Sequence, residues 1–258
     1  RVDINELCGL PFFIHGYYDW RALAIAKAVC QKNGSIIEVG ANIGTETIGF
    51  NDIVNKNHKV YAFEPAPHLF KSLERLKFKK GKLNIFPFVI GNENKLLKFN
   101  LSKNLKNSGI GHISYSKNHE DGAINIRCRK LDSFLSSFKK ISLIHIDAEG
   151  SDLNVIMSGQ RVIKRDSPVI TVELSIKLLK NYDQNILEFL TTLSSYNYEV
   201  YNITKLGIKP FEKGYLMKNK NVVCIPEKKV DLMVKISKII LQSGISPMFK
   251  YLNPLKLE

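Results

Sequence analysis

The chain has 258 residues, and its 44% hydrophobic and 24% charged composition excludes a wholly disordered or fibrous protein. No apolar run reaches the roughly 20 residues of a membrane-spanning helix, so no transmembrane segment is predicted. The 38 basic and 24 acidic residues leave a net charge of +14, which indicates either an anionic partner or a merely lysine-rich composition. We expect one domain over residues 1–258.

The cysteines and the N-terminus indicate a cytoplasmic protein. The four cysteines show no Cys-x-x-Cys pair and no metal-ligand spacing, so buried and reduced side chains are expected at Cys8, Cys30, Cys128 and Cys224. The first ten residues lack the apolar segment of a secretory signal.

Short β-branched segments alternate with helical patterns, as in an α/β domain with a mainly parallel sheet. An N-terminal helical segment, residues 1–34, holds a helix at 20–31. The core, residues 35–226, has predicted strands at 35–39, 59–63, 83–90, 142–147, 168–174, 198–203 and 222–225, the last two antiparallel. Helices are predicted at 45–54, 67–78, 131–138 (with Asp132 as its N-cap), 152–164 and 183–195. An amphipathic helix at 230–241, within the C-terminal segment 227–258, is expected to pack on the domain or, in a homo-oligomer, on a second subunit, rather than attach to a membrane.

Residues 91–130 depart from this alternation. Strands at 96–101 and 124–128 are predicted at the border of the sheet, separated by a polar stretch at 103–122. Such a stretch is typical of a substrate loop or of a disordered surface excursion. As a substrate loop it would cover the acceptor with Ser108, His112, Tyr115 and His119, and the aromatic rings of Tyr17, Tyr18 and Tyr115 could stack on a sugar.

The first chemical signal is residues 38–44, EVGANIG, directly after a strand and before a helix. Small residues allow a tight turn and a close approach of ligand to backbone, and Asn42 tolerates left-handed angles. The spacing is not the G-x-G-x-x-G of a dinucleotide site, so a zwitterionic ligand without phosphate is favoured. The alternative is an ordinary strand-to-helix turn.

The second signal is Glu64, which ends the second strand, 24 residues after Gly40. An acid at that place can accept both hydroxyl hydrogens of a ribose. Glu64 and the first loop together predict an adenosine-containing ligand. Without that loop, Glu64 would be interpreted as a solvated residue at the end of a strand.

The third signal is residues 145–150, HIDAEG. Strand alternation places His145, Asp147 and Glu149 on one face if the extended geometry persists, and Glu173 on the next strand would lie alongside. Converging carboxylates repel each other, so burial would raise one pKa or recruit a cation. A divalent cation (Mg²⁺ or Mn²⁺) held by Asp147, Glu149 and Glu173 is one alternative, and helix capping by Asp147 and Glu149 is another.

Together these motifs resemble the FkbM-type methyltransferases over residues 35–175. The resemblance implies a class I, Rossmann-like, S-adenosylmethionine-dependent O-methyltransferase, with a seven-stranded mainly parallel sheet, an antiparallel last strand and helices on both faces. The cofactor-binding residues that it implies are Glu38, Gly40, Asn42, Gly44, Thr45, Glu64, Pro65, Ile90, Gly91, Asn92 and Asp147. The chain departs from the family at Glu38, where Asp is usual, and at His145, where Lys is common.

By this resemblance the first loop would hold the methionine end of the cofactor, Glu64 the ribose, and residues 90–92 the adenine. The acceptor would be a hydroxyl of a carbohydrate or glycosylated metabolite. Asp147, Glu149 or His145 would accept its proton, and Glu173 would orient it.

Two other functions stay open. RNA methylation is suggested by the basic residues Lys71, Arg75, Lys77, Lys79 and Lys80, although no aromatic-basic RNA-binding module accompanies them, so nucleic acid is not the expected partner. The second open function is that of a non-catalytic protein that binds S-adenosylmethionine or a nucleotide.

Overall fold

The computed structural model describes residues 9–15, 18–30, 34–77, 82–101, 111–113, 123–212 and 220–245. Their strands are β1 (Ser35–Val39), β2 (Val60–Phe63), β3 (Leu83–Phe86), β4 (Val89–Ile90), β5 (Lys95–Asn100), β6 (His112–Ile113), β7 (Ile124–Arg129), β8 (Ile141–Ile146), β9 (Val169–Leu174), β10 (Tyr198–Thr204), β11 (Gly207–Pro210) and β12 (Lys220–Pro226). Their α-helices are α1 (Gly9–His15), α2 (Trp20–Cys30), α3 (Thr45–Ile53), α4 (Pro67–Lys77), α5 (Asp152–Ser158), α6 (Gln160–Asp166), α7 (Ile176–Lys180), α8 (Ile186–Ser195) and α9 (Leu232–Ile245). Short 3₁₀ helices cover Leu131–Ser137 and Glu227–Lys229.

The main sheet has the strand order β11-β10-β12-β9-β8-β1-β2-β3. Strands β9, β8, β1, β2 and β3 run parallel, and β12 is antiparallel to both of its neighbours. The predicted fold class, a class I methyltransferase-like sheet, is therefore confirmed. The predicted strand number of seven is wrong, because a turn at Lys205–Leu206 returns the chain as β11, an eighth strand at the edge.

Helices cover both faces of the main sheet because its central strands are apolar on both sides. On one face Leu23, Phe50 and Ile240 bring α2, α3 and α9 into one buried cluster. On the other face, helices α5, α6 and α8 pack through a second cluster. The expected packing of the C-terminal amphipathic helix onto the domain is confirmed, since α9 buries Ile240 beside α2.

The strands of residues 91–130 form a separate four-stranded sheet of order β4-β7-β5-β6, not the border of the main sheet as predicted. Pro87 follows β3 and has no N–H to continue the ladder, so the predicted strand 83–90 is divided in two. The second half, β4, pairs with β7 instead of continuing beside β2.

Several predicted helix bounds were wrong as well. The helix 152–164 is interrupted at Gly159, which ends α5 and precedes α6. Asp132 does not cap its own helix; its carboxylate accepts the N–H groups of Arg161 (2.9 Å) and Val162 (3.0 Å) at the start of α6. Helix α8 begins three residues later than predicted, and α1, α7 and β6 were not predicted.

Several predictions concern residues that lie outside the described ones. These are most of the 103–122 loop, with Ser108, Tyr115 and His119, and also Cys8, Tyr17, Lys79 and Lys80. The other three cysteines, Cys30, Cys128 and Cys224, are buried and free, as predicted. No helix within the described ranges is long and apolar enough to cross a membrane.

Candidate functional site

The loop after β1 adopts a conformation that only its small residues allow. Gly40 (φ +89°), Asn42 (φ +49°) and Gly44 (φ +89°) all have positive φ, as predicted for Asn42. A Cβ on Gly40 would lie 1.9 Å from the carbonyl oxygen of Asp147, whose N–H donates to Val39 O at 2.9 Å. The loop backbone therefore lies directly against the end of β8, and a side chain at position 40 would separate them.

Glu64 joins this loop to the end of β2. Its Oε2 accepts the N–H of Asn42 and its Oε1 accepts the N–H of Ala66, each at 2.8 Å. Burial raises the pKa of Glu64 to about 7, although both N–H groups oppose that rise. A carboxylate oxygen has two lone pairs, so each oxygen retains the capacity to accept a second hydrogen bond.

Glu38 is buried between the first loop and α3, with only 1% of its surface exposed. Burial raises its pKa well above the ordinary value; the Thr47 hydroxyl opposes the rise, and the charges of Glu46 and Glu64 add to it. Its Oε2 has no hydrogen-bond partner among the described residues. The unpartnered oxygen of this enclosed carboxyl group can accept a hydrogen bond from a donor on a ligand.

A cleft of about 470 Å³ lies at the carboxyl ends of β1, β8 and β9. Gly40, Asn42 and Thr45 from the first loop line it together with Asp147, so four of the predicted cofactor residues meet there. Among the described residues of its wall, the carboxylates are those of Asp19, Glu46, Asp147 and Glu173, and the one permanently charged base is Arg21. An acidic cleft within a chain of net charge +14 favours a cationic ligand.

Asp147 and Glu173 form a hydrogen-bonded carboxyl pair at this cleft. The Asp147 side chain reaches the open cleft, yet the protein packed around it removes water and raises its pKa well above the ordinary value, and the charges of Glu173, Glu149 and Asp152 add to the rise. Two carboxyl groups in contact cannot both ionise easily, which is why the charge of Glu173 disfavours ionisation of Asp147.

The extended geometry that would place Glu149 on one face with His145 and Asp147 does not persist to Glu149. Strand β8 ends at Ile146, and Glu149 has φ +48°, which turns the chain out of the extended geometry. Burial and the charge of Glu173 raise its pKa to about 7. The N-cap of α5 is Ser151, so the alternative that Asp147 or Glu149 takes that position is wrong.

His145 lies on β8 with its ring in the cleft wall. Its Nδ1 is 2.8 Å from the Thr171 hydroxyl, and the Phe50 ring meets it edge-on with centroids 5.4 Å apart. Burial lowers the pKa of His145 to about 4, and the charge of Asp19 opposes this. The imidazole is therefore neutral at pH 7.

The residues predicted beside the adenine lie elsewhere in the fold. Gly91 and Asn92 line a second pocket, of about 320 Å³, together with Asn154 and Tyr182. Ile90 is buried at the end of β4, and the Gly91 N–H donates to Arg129 O at 3.1 Å.

Asp19, Arg21 and Asn221 are among the residues of the cleft wall that the sequence analysis missed. Arg21 Nε donates to Asp19 Oδ1, and Asn221 Nδ2 donates to Asp19 Oδ2, both at 2.9 Å. No motif marks them, because Asp19 and Asn221 are 202 residues apart and only the folded sheet brings them together.

The described residues include no group of three or more His, Cys, Asp or Glu side chains placed to hold a metal ion. A cation held by Asp147, Glu149 and Glu173 thus stays a prediction, which turnover in excess chelator tests.

Comparison with known proteins identifies the family. The methyltransferase FkbM domain matches residues 38–200, more than half of the chain. The chain belongs to the FkbM methyltransferase family. The FkbM resemblance seen in the sequence is thereby confirmed. A search of curated proteins returned no match.

Solved methyltransferases resemble this FkbM chain at low identity. An FkbM methyltransferase from Methylobacillus flagellatus is 13% identical with a TM-score of 0.49, over 74% of this chain and 43% of that one. A putative rRNA methylase from Clostridium thermocellum is 8% identical, with a TM-score of 0.48 over 80% and 93% of the two chains. Fibrillarin from Aeropyrum pernix, solved with S-adenosylmethionine, is 12% identical, with a TM-score of 0.46 over 80% and 76%. The present chain thus spans less than half the length of the Methylobacillus protein.

Proposed function

We propose that this FkbM domain is an S-adenosylmethionine-dependent O-methyltransferase whose acceptor is a hydroxyl of a carbohydrate or glycosylated metabolite. The observation that carries the proposal is the acidic cleft beside the glycine loop. The methyl donor has a sulfonium and an ammonium group against one carboxylate, so the acidic wall of the cleft attracts it. A dinucleotide would bring two phosphates to the same carboxylates and be repelled.

The residues present fit this donor. Gly40 lets a ligand approach backbone atoms that any side chain would cover. Glu64 is fixed by two N–H groups, and its remaining lone pairs suit the two hydroxyl groups of a ribose. When bound, the donor supplies a methyl group already activated by its sulfonium. The protein has then to align the acceptor oxygen and remove one proton.

The Asp147–Glu173 pair is the group that we assign to proton removal. A base acts best when its pKa is near the working pH, and burial together with the charge of Glu173 raises the pKa of Asp147 above its ordinary value, toward that range. His145 has a pKa of about 4 and its Nδ1 is engaged with Thr171, so it is a weak base and a better positioning residue. Glu149 lies off the shared face and is not assigned a role.

RNA methylation is the weaker candidate. Lys71 and Arg75 are exposed on α4, which does not line the cleft. A nucleic acid that reached the cleft would meet the carboxylates of Asp147 and Glu173, which repel phosphate groups.

Transfer of a labelled methyl group tests the proposal. The protein is incubated with labelled S-adenosylmethionine and either a glycan pool or an RNA pool, and label in each pool is counted. We expect label in the glycan pool, and its loss in Asp147→Asn with donor binding and thermal unfolding retained. Label in RNA alone would contradict the acceptor, and full activity of Asp147→Asn would remove Asp147 from proton transfer.

A further inference from the structure

Part of the cleft wall comes from segments outside the family match. The FkbM domain match covers residues 38–200, whereas Tyr18, Asp19 and Arg21 precede it and Asn221 follows it. The first loop and the carboxyl pair lie inside the matched range. The family match therefore leaves out two parts of the cleft wall, namely the residues around the start of α2 and Asn221 at the start of β12.

Asp19 holds these outside segments in one arrangement. Its backbone N–H donates to Glu46 Oε1 (3.1 Å), and its carboxylate accepts from Arg21 Nε (2.9 Å), Arg21 Nη2 (3.2 Å) and Asn221 Nδ2 (2.9 Å). The side chains are only partly exposed, with 30% for Arg21 and 16% for Asp19. Such a network fixes its members before a ligand arrives, which lowers the entropy cost of binding.

The network leaves a donor and an acceptor side by side. Arg21 bonds to Asp19 through Nε and Nη2, and Asn221 through Nδ2. The Nη1 hydrogens of Arg21 and the Oδ1 of Asn221 are not used in these bonds. Each sugar hydroxyl both donates and accepts, so neighbouring hydroxyls can satisfy both groups together. The half-exposed ring of Tyr18, which also lines the cleft, offers an apolar surface to the face of a sugar.

The charge balance of the wall disfavours anionic acceptors. The positive charge of Arg21 is compensated by the bidentate contact with Asp19. Among the described residues of the wall, the remaining acids are Glu46, Asp147 and Glu173. They give this side of the cleft an acidic character. A phosphate or carboxylate on the acceptor would have to approach these groups, and the part of the wall that the structure describes offers no uncompensated cation to pair with it.

We propose that Arg21, Asp19 and Asn221 form the acceptor-binding wall of the cleft, and that this wall selects an uncharged polyol over its phosphorylated or carboxylated counterparts. The inference rests on the proposed function, since it assigns the acceptor side of the same cleft.

Tryptophan fluorescence tests this wall directly. Trp20 is the single tryptophan of the chain and follows Asp19. The full chain, with S-adenosylhomocysteine present, is titrated with neutral methyl hexosides, with the matching uronates and with the matching hexose 6-phosphates. We expect at least one neutral glycoside to bind about tenfold more tightly than its anionic counterparts. Equal or tighter binding of an anion, or no binding of any neutral glycoside, would overturn the proposal.

Two variants and one control complete the test. Asn221→Ala and Arg21→Lys should each weaken binding of that glycoside about fivefold or more, because Lys lacks the fork that bonds to Asp19 and leaves donors free. Asn125→Ala, exposed on β7, should bind like the wild type. Thermal unfolding shows whether each variant folds, and unchanged glycoside affinity in both variants would overturn the assignment.

Donor affinity separates this inference from the proposed function. Calorimetry with S-adenosylmethionine should give the same dissociation constant for the wild type and both variants. Failure of the wild type to bind the donor would contradict the proposed function itself. Donor binding without discrimination among the sugars would contradict the acceptor wall alone.

Discussion

The backbone N–H of Asn42 donates a 2.8 Å hydrogen bond to Glu64 Oε2, so the loop after β1 and the end of β2 form one unit. The second oxygen of Glu64 accepts from Ala66, which fixes the start of α4 to the same carboxylate. One buried side chain thus sets the positions of two loops at the edge of the sheet. A ligand that bridges them meets a prepared surface.

Replacing Glu64 by Gln should weaken donor binding. The amide NH₂ would face either the N–H of Asn42 or that of Ala66, so one buried donor loses its acceptor, at a cost of about 1–3 kcal/mol. We expect about a tenfold or greater rise in the dissociation constant of S-adenosylmethionine by calorimetry. Glu74→Gln, exposed on α4, is the control. Wild-type affinity in Glu64→Gln would contradict the role of this carboxylate.

Gly40→Ala should damage both stability and binding. Its Cβ would lie 1.9 Å from the carbonyl oxygen of Asp147, and the φ of +89° is strained for any L side chain. We expect a loss of at least about 2 kcal/mol in the free energy of unfolding by urea denaturation. Gly91→Ala, whose Cβ would meet only the Cys128 sulfur at 3.0 Å, should lose less. Equal losses in the two variants would contradict the close contact between the first loop and β8.

The pH dependence of methyl transfer should follow the carboxyl pair. A protonated Asp147 cannot accept another proton, so the rate should rise with pH through a midpoint above that of an ordinary carboxyl group. The negative charge of Glu173 raises the pKa of Asp147, so Glu173→Gln should move the midpoint to lower pH. Profiles of kcat against pH for the wild type, Glu173→Gln and the exposed control Glu212→Gln measure this. An unchanged or higher midpoint in Glu173→Gln would contradict the influence of Glu173 on Asp147.

Asp132→Ala should destabilise the protein without changing donor affinity. The carboxylate accepts two N–H groups of the first turn of α6, and loss of such a cap costs about 1 kcal/mol. The free energy of unfolding measures the loss, and calorimetry with S-adenosylmethionine measures the affinity. Glu212→Ala, on the exposed surface, serves as the comparison. A stability equal to that of the wild type would show that α6 does not depend on this cap.

The central sheet could be predicted from the sequence because its strands are buried on both faces. Residues 60–63 are a continuous apolar run, residues 35–39 are apolar except for Ser35 and Glu38, and both strands are fully buried, so the hydrophobic pattern predicts them. The second sheet could not be predicted, since β5 and β7 are half exposed and their pairing depends on distant partners. Likewise, local sequence favours Asp132 as a cap of its own helix, whereas the tertiary contact with α6 prevails.

The residues of the candidate site also fall into those that the sequence predicts and those that it does not. The first loop and Glu64 carry local signals, namely small residues and an acid at strand ends. The Asp147–Glu173 contact could be inferred from the order of parallel strands. Asp19 and Asn221 give no such signal, because their hydrogen bond joins opposite ends of the chain.

Calorimetric titration of the wild-type chain with S-adenosylmethionine and, separately, with NAD tests the central claim most directly. The acidic cleft and the glycine loop predict saturable binding of S-adenosylmethionine, with NAD bound about a hundredfold more weakly or not at all. Tight binding of NAD in a cleft that S-adenosylmethionine leaves empty would contradict the account.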